Sequence, residues 1–464
     1  MGIVLKGGKI VTAVDTYESD IRIEGEKVIS IGKDLEKEGD EIISVEGCYL
    51  LPGAIDPHTH FDLDTGSTVT ADDFCSGTKA AIIGGTTTIL DFATQNKGES
   101  LKEGLNNWHK KADNKSYCDY GFHMAITDWN EKVCAEMEDM IKEGVPSFKM
   151  YMAYKNTLQV DDGSIFSALR KGKEIGALIG FHCENGDVID TLVKEAKNNG
   201  NNHPRYHAIT RPAAAEREAI SRVIQLAEMA DSPVYIVHLS TKDGLESIID
   251  GKKRGIKVYS ETCPQYLLLD DSCYESEEGS FNGAKYVMSP PLRKDIDKDA
   301  LWRGIQNSEI DTIATDHCSF NYKGQKDMGI DDFSKIPNGA PGVEHRLSLL
   351  YTNGVVNGKI TINDLVALTS TNAAKLFGLF PQKGTIAVGC DADIVVLNPK
   401  ERWTVSAENQ TQRVDYTPYE GFEQEGRIKD VFLRGKQVVR DSKIVTEEPV
   451  GKYIPRKSLL EKGE

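Results

Sequence analysis

The chain has 464 residues, enough for one large domain with an appendage or for two to three ordinary domains. Its composition of 39% hydrophobic and 27% charged residues is typical of a globular protein, and its formal net charge is −17. No apolar run approaches the ~20 residues of a membrane-spanning helix, and the N-terminus lacks the long apolar region and cleavage site of a signal peptide. The acidic balance argues against a nucleic-acid-binding surface, and nine scattered cysteines without paired spacing indicate a reducing compartment, so we expect a cytoplasmic protein.

Both ends of the chain have the pattern of short strands. Residues 2–12, 19–34 and 40–50 are β-rich, with glycine-containing turns of the kind that hairpins require. The same pattern of short β-rich segments occurs in residues 390–405 and 428–445. We therefore predict one small β-sandwich domain built from residues 1–52 and 381–464.

Residues 53–380 alternate short apolar runs with amphipathic helical stretches. After the first run at residues 49–62, further runs occupy residues 84–94, 120–127, 145–154, 176–185, 232–240, 255–263 and 311–318. Helices are expected at residues 131–144, 217–230 and 241–255. This alternation is typical of parallel βα units, and about eight of them predict an α/β fold of the (β/α)8 TIM-barrel type. An open doubly wound sheet is the structural alternative, although no GxGxxG motif supports its dinucleotide-binding form.

Chemically useful side chains stand at the ends of five of these runs. His58 and His60 lie in DPHTHFD, where strand alternation places both on one face. The other runs contribute Lys149, His182, His238 and Asp316. Each residue alone has an ordinary structural explanation, and an isolated HxH pair is more often exposed or hydrogen-bonded. Because the carboxyl ends of barrel strands meet at one mouth, their joint occurrence predicts a metal-dependent catalytic site.

Lys149 is unusual because its charge would be buried inside an apolar run. A neutral lysine can add carbon dioxide to form a carbamate, whose two oxygens can bridge two cations. The alternative is an ammonium paired with the substrate or with Asp316. The carbamate interpretation predicts one ion held by His58, His60 and Asp316, and a second held by His182 and His238. We expect two divalent metal ions, with zinc favoured and manganese, cobalt, nickel and iron as alternatives.

A series of motifs resembles the dihydropyrimidinase/hydantoinase branch of the amidohydrolases. They are DPHTHFD, SFKMYMAY, GFHCEN, VHLS, ETCPQYL, MSPPLR, ATDHCSF and KIPNGAPGVEHR, in this order over nearly the whole chain. The resemblance implies a βα barrel with a β-sandwich, often tetrameric, and a binuclear hydrolase with a carboxylated lysine. It assigns the ligand positions to the same six residues. It also implies substrate contacts by Tyr154 and by the backbone at Ser289 and Asn338, although Ser-Pro and Asn-Gly are also ordinary turn sequences.

The predicted reaction is the opening of a cyclic amide to an N-carbamoyl amino acid. Asp316 would carry the proton from the attacking nucleophile to the leaving ring nitrogen, and the Tyr154 hydroxyl would stabilise the oxyanion. A ring that bears a carboxylate, as in dihydroorotase, would favour an arginine soon after the HxH pair. Phe61, Asp62 and Leu63 follow His60 instead. We therefore expect a neutral 5-substituted hydantoin or 5,6-dihydropyrimidine, with Leu63 and Leu158 near the ring substituent.

Two other functions remain open from the sequence. An allantoinase-type hydrolase of ureides is the nearer alternative. A non-catalytic interaction protein of the same fold would have lost metal ligands, whereas all six are present here. His345 stands where this family commonly has an acidic residue, and we interpret His123, His203, His207 and His317 as structural. The expected partner is a small molecule, with no nucleic acid or membrane, and a homotetramer or homodimer is expected.

Overall fold

Seven short strands occupy the first 52 residues of the computed structural model, which describes residues 2–275 and 280–462. They are β1 (Ile3–Lys6), β2 (Lys9–Val11), β3 (Thr16–Glu18), β4 (Asp20–Glu24), β5 (Lys27–Gly32), β6 (Glu41–Ser44) and β7 (Tyr49–Pro52). Gly25 has φ +60°, which lets β4 turn directly into β5. This part of the chain therefore has the hairpin character that its alternating pattern predicts.

Eight parallel strands follow and form the central sheet. They are β8 (Ala54–Thr59), β9 (Thr86–Thr94), β10 (Asp119–Ala125), β11 (Ser147–Tyr151), β12 (Leu178–His182), β13 (Val234–Ile236), β14 (Val258–Thr262) and β15 (Thr312–Ile313). Each strand pairs with its neighbour in sequence. A parallel bridge from Thr59 to His317 joins the end of the first strand to the segment after the last. The predicted (β/α)8 barrel is confirmed, and the open sheet is wrong.

Helices connect these strands and cover the outside of the barrel. They are α1 (Phe74–Ile83), α2 (Leu101–Ala112), α3 (Glu131–Lys142), α4 (Asp162–Ile175), α5 (Gly186–Asn198), α6 (Tyr206–Ile209), α7 (Ala213–Ala230), α8 (Lys242–Lys253), α9 (Pro264–Leu268) and α10 (Asp295–Gln306). Several begin at a side chain that caps the first backbone amides, as Asp73 does for α1 and Ser100 for α2. The three predicted helices correspond to α3, α7 and α8. No helix in the described part of the chain is long and apolar enough to cross a membrane.

The last quarter of the chain adds a short helical region and four more strands. The elements are α11 (Arg346–Leu350), α12 (Ile362–Val366), α13 (Asn372–Leu376), β16 (Ile394–Thr404), β17 (Glu423–Leu433), β18 (Lys436–Arg440) and β19 (Lys443–Ile444). One-turn π-helices at Tyr351–Val356 and Ala367–Thr371 follow α11 and α12. Short 3₁₀ turns occur at Asp271–Tyr274, Asn282–Tyr286, Lys326–Gly329, Phe333–Lys335 and Leu460–Lys462.

The terminal strands form two sheets beside the barrel. One sheet has the order β5-β4-β1-β6, and the other has the order β19-β18-β17-β16-β7-β2-β3, which brings both chain ends into one sheet. A shared apolar core contains Leu5 and Ile21 from the first sheet with Leu50, Ile394 and Phe432 from the second. Strands from the two termini therefore pack together as the sequence indicates. The boundaries predicted for the two domains stay predictions.

The final residues leave the sandwich and run along the amino ends of the barrel strands. The Tyr120 backbone amide, near the start of β10, donates to the Lys452 carbonyl at 3.0 Å, and the Ile454 amide returns a bond to the Tyr120 carbonyl at 2.8 Å. Ile454 joins the apolar cluster formed by Ile55, Leu178 and other residues at the amino ends of the barrel strands. The predicted sandwich range of 381–464 therefore includes a tail that closes the bottom of the barrel.

Candidate metal centre and active site

Five of the six predicted ligands lie at or just after strand ends at the carboxyl-terminal mouth of the barrel, and Lys149 lies within a strand. His58 is the next-to-last residue of β8 and His60 follows that strand, Lys149 is central in β11, His182 ends β12, and His238 and Asp316 follow β13 and β15. This is the face where barrel enzymes place their chemistry. All six side chains are buried or nearly so.

One group consists of His58, His60, Lys149 and Asp316. The Nε2 atoms of His58 and His60 are 3.2 Å apart, and Asp316 Oδ1 lies 3.0 Å and 3.3 Å from them. Lys149 Nζ is 2.9 Å from His58 Nε2. Tetrahedral zinc with bonds of about 2.05 Å requires ligand atoms about 3.3 Å apart. The three atoms from the two histidines and the aspartate are therefore spaced like ligands of one ion.

The second pair, His182 and His238, adjoins the first group. His182 Nδ1 and His238 Nε2 are 2.9 Å apart, and the ring centroids of His58 and His238 are separated by 5.5 Å. Burial lowers the pKa of His182 and His238, and the nearby Lys149 lowers both further. Both imidazoles are therefore neutral at neutral pH, which is the form that can bind a metal ion.

Two carboxylates that the sequence analysis did not assign orient the histidines. Glu261 accepts the His58 Nδ1 proton, and Glu184 Oε2 accepts from His182 Nε2 at 2.8 Å. This fixes the tautomers, so that His58 would bind a metal through Nε2 and His182 through Nδ1. The sequence carried a signal for Glu184, which stands two residues after its histidine in GFHCEN, but Glu261 is 203 residues from His58.

The donor set fits divalent metal ions. Asp316 Oδ1 lies 3.0 Å from His58 Nε2 and 3.3 Å from His60 Nε2, so three possible ligand atoms converge. Burial and Lys149 lower the pKa of His58, but the Glu261 and Asp316 carboxylates on either side of the ring raise it overall. A divalent cation among these atoms would take the place of the Nε2 proton of His58. Although burial alone would raise it, the pKa of Asp316 is held well below its usual range by His58 and His60. Once the Nε2 proton is released, the Asp316 carboxylate and the imidazoles of His58 and His60 are ordinary zinc ligands.

Buried hydrogen bonds hold the HxH segment in place. The Asp91 carboxylate accepts from Thr59 Oγ1 at 2.8 Å, from the Phe61 amide at 2.9 Å and from Trp108 Nε1 at 2.8 Å. The residues on both sides of His60 are therefore fixed from the neighbouring strand. Burial raises the pKa of Asp91 to about 6, even though these donors favour its charged form.

Three site residues have left-handed backbone conformations. The φ angles are +66° at Tyr154, +39° at His238 and +54° at Asp316. Such angles cost of order 1–3 kcal/mol at residues other than glycine and persist where the surrounding structure fixes them. The contacts around these three side chains therefore stabilise backbone conformations that are unfavourable by themselves.

The predicted substrate residues line the same side of the barrel. The Tyr154 ring centroid is 5.0 Å from that of His182, and burial raises the pKa of Tyr154 against an opposing hydrogen bond with Ser289. Asn338 is partly buried and forms no hydrogen bond with any other described residue. Its neighbour Gly339 donates from its amide to the Val287 carbonyl at 3.1 Å, which joins the Asn338 segment to the Ser289 segment.

The remaining histidines make structural contacts. His317 Nε2 contacts Asp72 at 3.1 Å, and His123 contacts Ser147 Oγ at 2.6 Å and the Pro57 carbonyl at 3.0 Å. His207 donates to the Met288 carbonyl at 2.7 Å, so it lies closer to the substrate segment than its polar surroundings in the sequence suggest. The His345 ring packs near Trp403 of β16, and burial lowers its pKa to about 4.

Comparison with known proteins gives full-length matches. The amidohydrolase family profile matches residues 49–438. A D-hydantoinase from Geobacillus stearothermophilus is 49% identical over 98% of this chain and 96% of its own length. The crystal structure of dihydropyrimidinase from Brevibacillus agri NCHU1002 has a TM-score of 0.97 at 49% identity and covers 99% of each chain. An L-hydantoinase (dihydropyrimidinase) from Arthrobacter aurescens has a TM-score of 0.89 at 29% identity over 98% of this chain and 99% of that one. The chain therefore belongs to the amidohydrolase family, in its dihydropyrimidinase and hydantoinase branch.

Proposed function

We propose that this protein is a binuclear metal-dependent hydrolase that opens 5-substituted hydantoins or 5,6-dihydropyrimidines to N-carbamoyl amino acids. The observation that carries the proposal is the cluster of His58, His60 and Asp316 at the barrel mouth, whose possible ligand atoms lie within 4.8 Å of one another. The full-length similarity to a D-hydantoinase and a dihydropyrimidinase supports the same reaction class. It does not favour the allantoinase alternative, and the intact ligand set argues against a non-catalytic protein.

Lys149 would complete the site as a carbamate. Burial lowers the pKa of Lys149 to about 8 even though Asp316 and Glu261 oppose the shift, so an appreciable fraction of the amine is neutral near neutral pH. A neutral amine adds carbon dioxide and releases one proton. The carbamate would bridge an ion held by His58, His60 and Asp316 to an ion held by His182 and His238. Bound divalent ions, with zinc expected, act as Lewis acids and bring the pKa of water close to neutrality.

The protein's own groups would handle the protons and the developing charge. Asp316 is a carboxylate in the resting site, so it can take a proton from the attacking water and deliver it to the ring nitrogen as the C–N bond breaks. The Tyr154 phenol is protonated, so its O–H can donate to the oxyanion on the attacked carbonyl. Backbone groups at Ser289 and Asn338 would hold the ring amide.

Separate tests of the two metal sites are possible through their carboxylate partners. We expect Glu261→Gln to weaken metal binding at the His58 site by about 10–100-fold, because a neutral amide polarises the imidazole less. Glu184→Gln should weaken the His182 site instead. The rate of metal transfer to a chelator would be measured for each variant and for wild type. In each variant, the ion at the affected site should transfer faster than it does in wild type. Unchanged release kinetics in both would contradict the assigned tautomers.

Removal of the Tyr154 hydroxyl should slow turnover without displacing the metals. For Tyr154→Phe we expect kcat to fall about 10²-fold, since one oxyanion donor is lost. Tyr151→Phe is a suitable control, because that buried phenol also lies near the site but has no predicted role. Steady-state kinetics with metal analysis of the same samples would check this. Equal losses in both variants would contradict the role of Tyr154.

A substrate panel tests the proposed function directly. The metal-loaded protein should hydrolyse 5,6-dihydrouracil and 5-phenylhydantoin, and release of the ureido product would be followed by liquid chromatography. We propose a preference for the D-enantiomer, because the D-hydantoinase is 49% identical to this chain and the L-hydantoinase only 29%. Chiral analysis of the product would check the preference. Hydrolysis of allantoin alone, or of no ring by fully metallated protein, would overturn the proposal.

The ring substituent is expected to contact the loops that carry Leu63 and Leu158. Both side chains are partly buried, and both follow a strand that carries a proposed metal ligand. An apolar 5-substituent would suit these side chains. The expected homotetramer or homodimer and the cytoplasmic location stay predictions, and light scattering after gel filtration would determine the oligomeric state.

A further inference from the structure

Lys326 is a fully buried lysine outside the metal centre whose ammonium donates hydrogen bonds only to backbone oxygens and lies 5.7 Å from the centre of the Phe320 ring. It lies in the 3₁₀ turn Lys326–Gly329, and none of its surface is exposed. Its Nζ donates to the carbonyls of Val287 at 2.6 Å, Pro337 at 2.6 Å and Gly339 at 2.7 Å. All three ammonium protons are therefore used, and no carboxylate pairs with Lys326 among the described residues.

The three acceptors belong to the two segments that carry Ser289 and Asn338. Val287 lies two residues before Ser289, and Pro337 and Gly339 are the direct neighbours of Asn338. The Val287 carbonyl also accepts from the Gly339 amide at 3.1 Å, so the two segments are joined directly as well as through the ammonium. His207 holds the next carbonyl, that of Met288, from the opposite loop.

Gly339, one of the three residues whose carbonyls accept from Lys326, lies in a position that has no space for a side chain. It has φ +148°, and an added Cβ would lie 2.3 Å from the Cys318 carbonyl oxygen. The Asn338 segment therefore lies against the residues that follow Asp316, with no space for a side chain at Gly339. The ammonium adds a second restraint on this segment, from the side of Val287.

A buried charge without an anion is costly, so a side chain that only filled space at this position would be expected to be apolar. Burial lowers the pKa of Lys326 to about 7, and Cys318 opposes the shift. In the ammonium form, all three N–H groups donate to the carbonyls. An apolar side chain of the same length would fill the same volume, but it would leave three buried carbonyls without this donor. The charge is thus explained by the need to hold three carbonyls of two segments at fixed separation.

We propose that Lys326 is a positioning residue that sets the distance between the backbone groups at Ser289 and Asn338, and thereby the fit of the cyclic amide ring. This inference rests on the proposed function, in which those groups hold the ring. Lys326 itself does not contact the metal ligands or the substrate. Its loss should therefore weaken ring binding and leave metal binding intact.

The test is Lys326→Met in the metal-loaded, full-length protein. We expect KM for 5,6-dihydrouracil and the Kd of its N-carbamoyl product, measured by calorimetry, both to rise about tenfold or more. The metal content should equal that of wild type, and kcat should fall by less than about fivefold. Lys326→Gln retains two N–H donors and should give intermediate values, and it serves as the main variant should the methionine variant not fold.

Lys383→Met is a matched control, since it removes another buried lysine that binds carboxylates at the junction of barrel and sandwich. It should lower stability without raising KM. If both Lys326 variants had wild-type activity with unchanged KM and Kd, this inference would be overturned and the proposed function would stand. Fully metallated wild type that opens no cyclic amide would overturn the proposed function, and the inference with it. An equal rise of KM in Lys383→Met would show that lost stability is the cause, and would also overturn the inference.

Discussion

Lys149→Ala is expected to lose most of its bound metal and at least about 10³-fold in kcat/KM. The side chain projects from the centre of β11 into the ligand cluster, where its Nζ lies 2.9 Å from His58 Nε2. Without it, no group on β11 could supply oxygen ligands to both ions. A loss of several kcal/mol of charge stabilisation corresponds to several powers of ten in rate, at 1.36 kcal/mol for each factor of ten.

Metal analysis and kinetics of the same preparation would check this expectation. Wild type should bind about two equivalents of metal after supplementation with bicarbonate, and isotopically labelled bicarbonate should give a carbamate signal in its carbon NMR spectrum. Lys149→Ala should give neither result. Full metal content and activity in the variant would show that β11 contributes no ligand.

A small carboxylate offers a more specific control for the carbamate. Alanine at position 149 leaves a cavity in which acetate or propionate could present the two missing oxygens. Added propionate should restore part of the activity of Lys149→Ala and should not affect Lys326→Met. Restoration by propylamine instead would indicate that the lysine acts as an ammonium, which is the alternative left open by the sequence.

Lys383→Met is expected to cause the largest loss of stability, about 3–5 kcal/mol in the free energy of unfolding. Its ammonium is 2.7 Å from Asp119 Oδ2, 2.6 Å from Asp393 Oδ2 and 3.1 Å from Asp391 Oδ2, in a site almost closed to solvent. Asp119 starts a barrel strand, whereas Asp393 precedes the first C-terminal strand of the sandwich. Arg434 also contacts Asp119 and Lys27 also contacts Asp391, so loss of the ammonium leaves Asp393 as the carboxylate with no cationic partner among the described residues. A buried carboxylate left in this way is strongly destabilising.

Guanidinium unfolding midpoints and rates of thermal inactivation would measure the effect. Although burial lowers the pKa of Lys383, the three carboxylates raise it overall. Its contribution to stability is therefore complete below the pKa of a free lysine, about 10.4, and is lost only as pH rises above that value. The difference between wild type and Lys383→Met should therefore be similar at pH 7 and pH 9. Adding Asp393→Asn should recover part of the loss, and an unchanged or larger loss would contradict the charge argument.

The periodicity of the sequence was sufficient to predict the barrel and the convergence of the six proposed ligand residues at its mouth. A β-strand that is buried on both faces must be almost wholly apolar, so a histidine or lysine inside or directly after one stands out. His182 at the end of β12 and Lys149 within β11 are of this kind. Because parallel strands of a barrel all point towards one mouth, their convergence follows from the fold alone.

The supporting groups could not be predicted in the same way. Glu261 reaches His58 across the barrel, and Lys326 reaches carbonyls on two loops from a polar stretch with no apolar pattern. Such contacts depend on the closure of the whole barrel and on loop conformations. Neither produces a periodic pattern of apolar residues in the sequence. The place of the C-terminal tail could not be predicted for the same reason, since it depends on backbone hydrogen bonds with Tyr120 and on the apolar cluster to which Ile454 and Ile55 belong.

The pairing of β7 with β16 has a consequence for synthesis of the protein. These strands are antiparallel neighbours, with Leu51 opposite Val395. About 340 further residues must therefore be synthesised after β7 before its partner strand exists. Until then β7 has an unpaired edge and an uncovered apolar face, and the amino ends of the barrel strands stay open until the tail emerges. The nascent chain should therefore depend on chaperones, and ribosome-released fragments that end before β16 should aggregate.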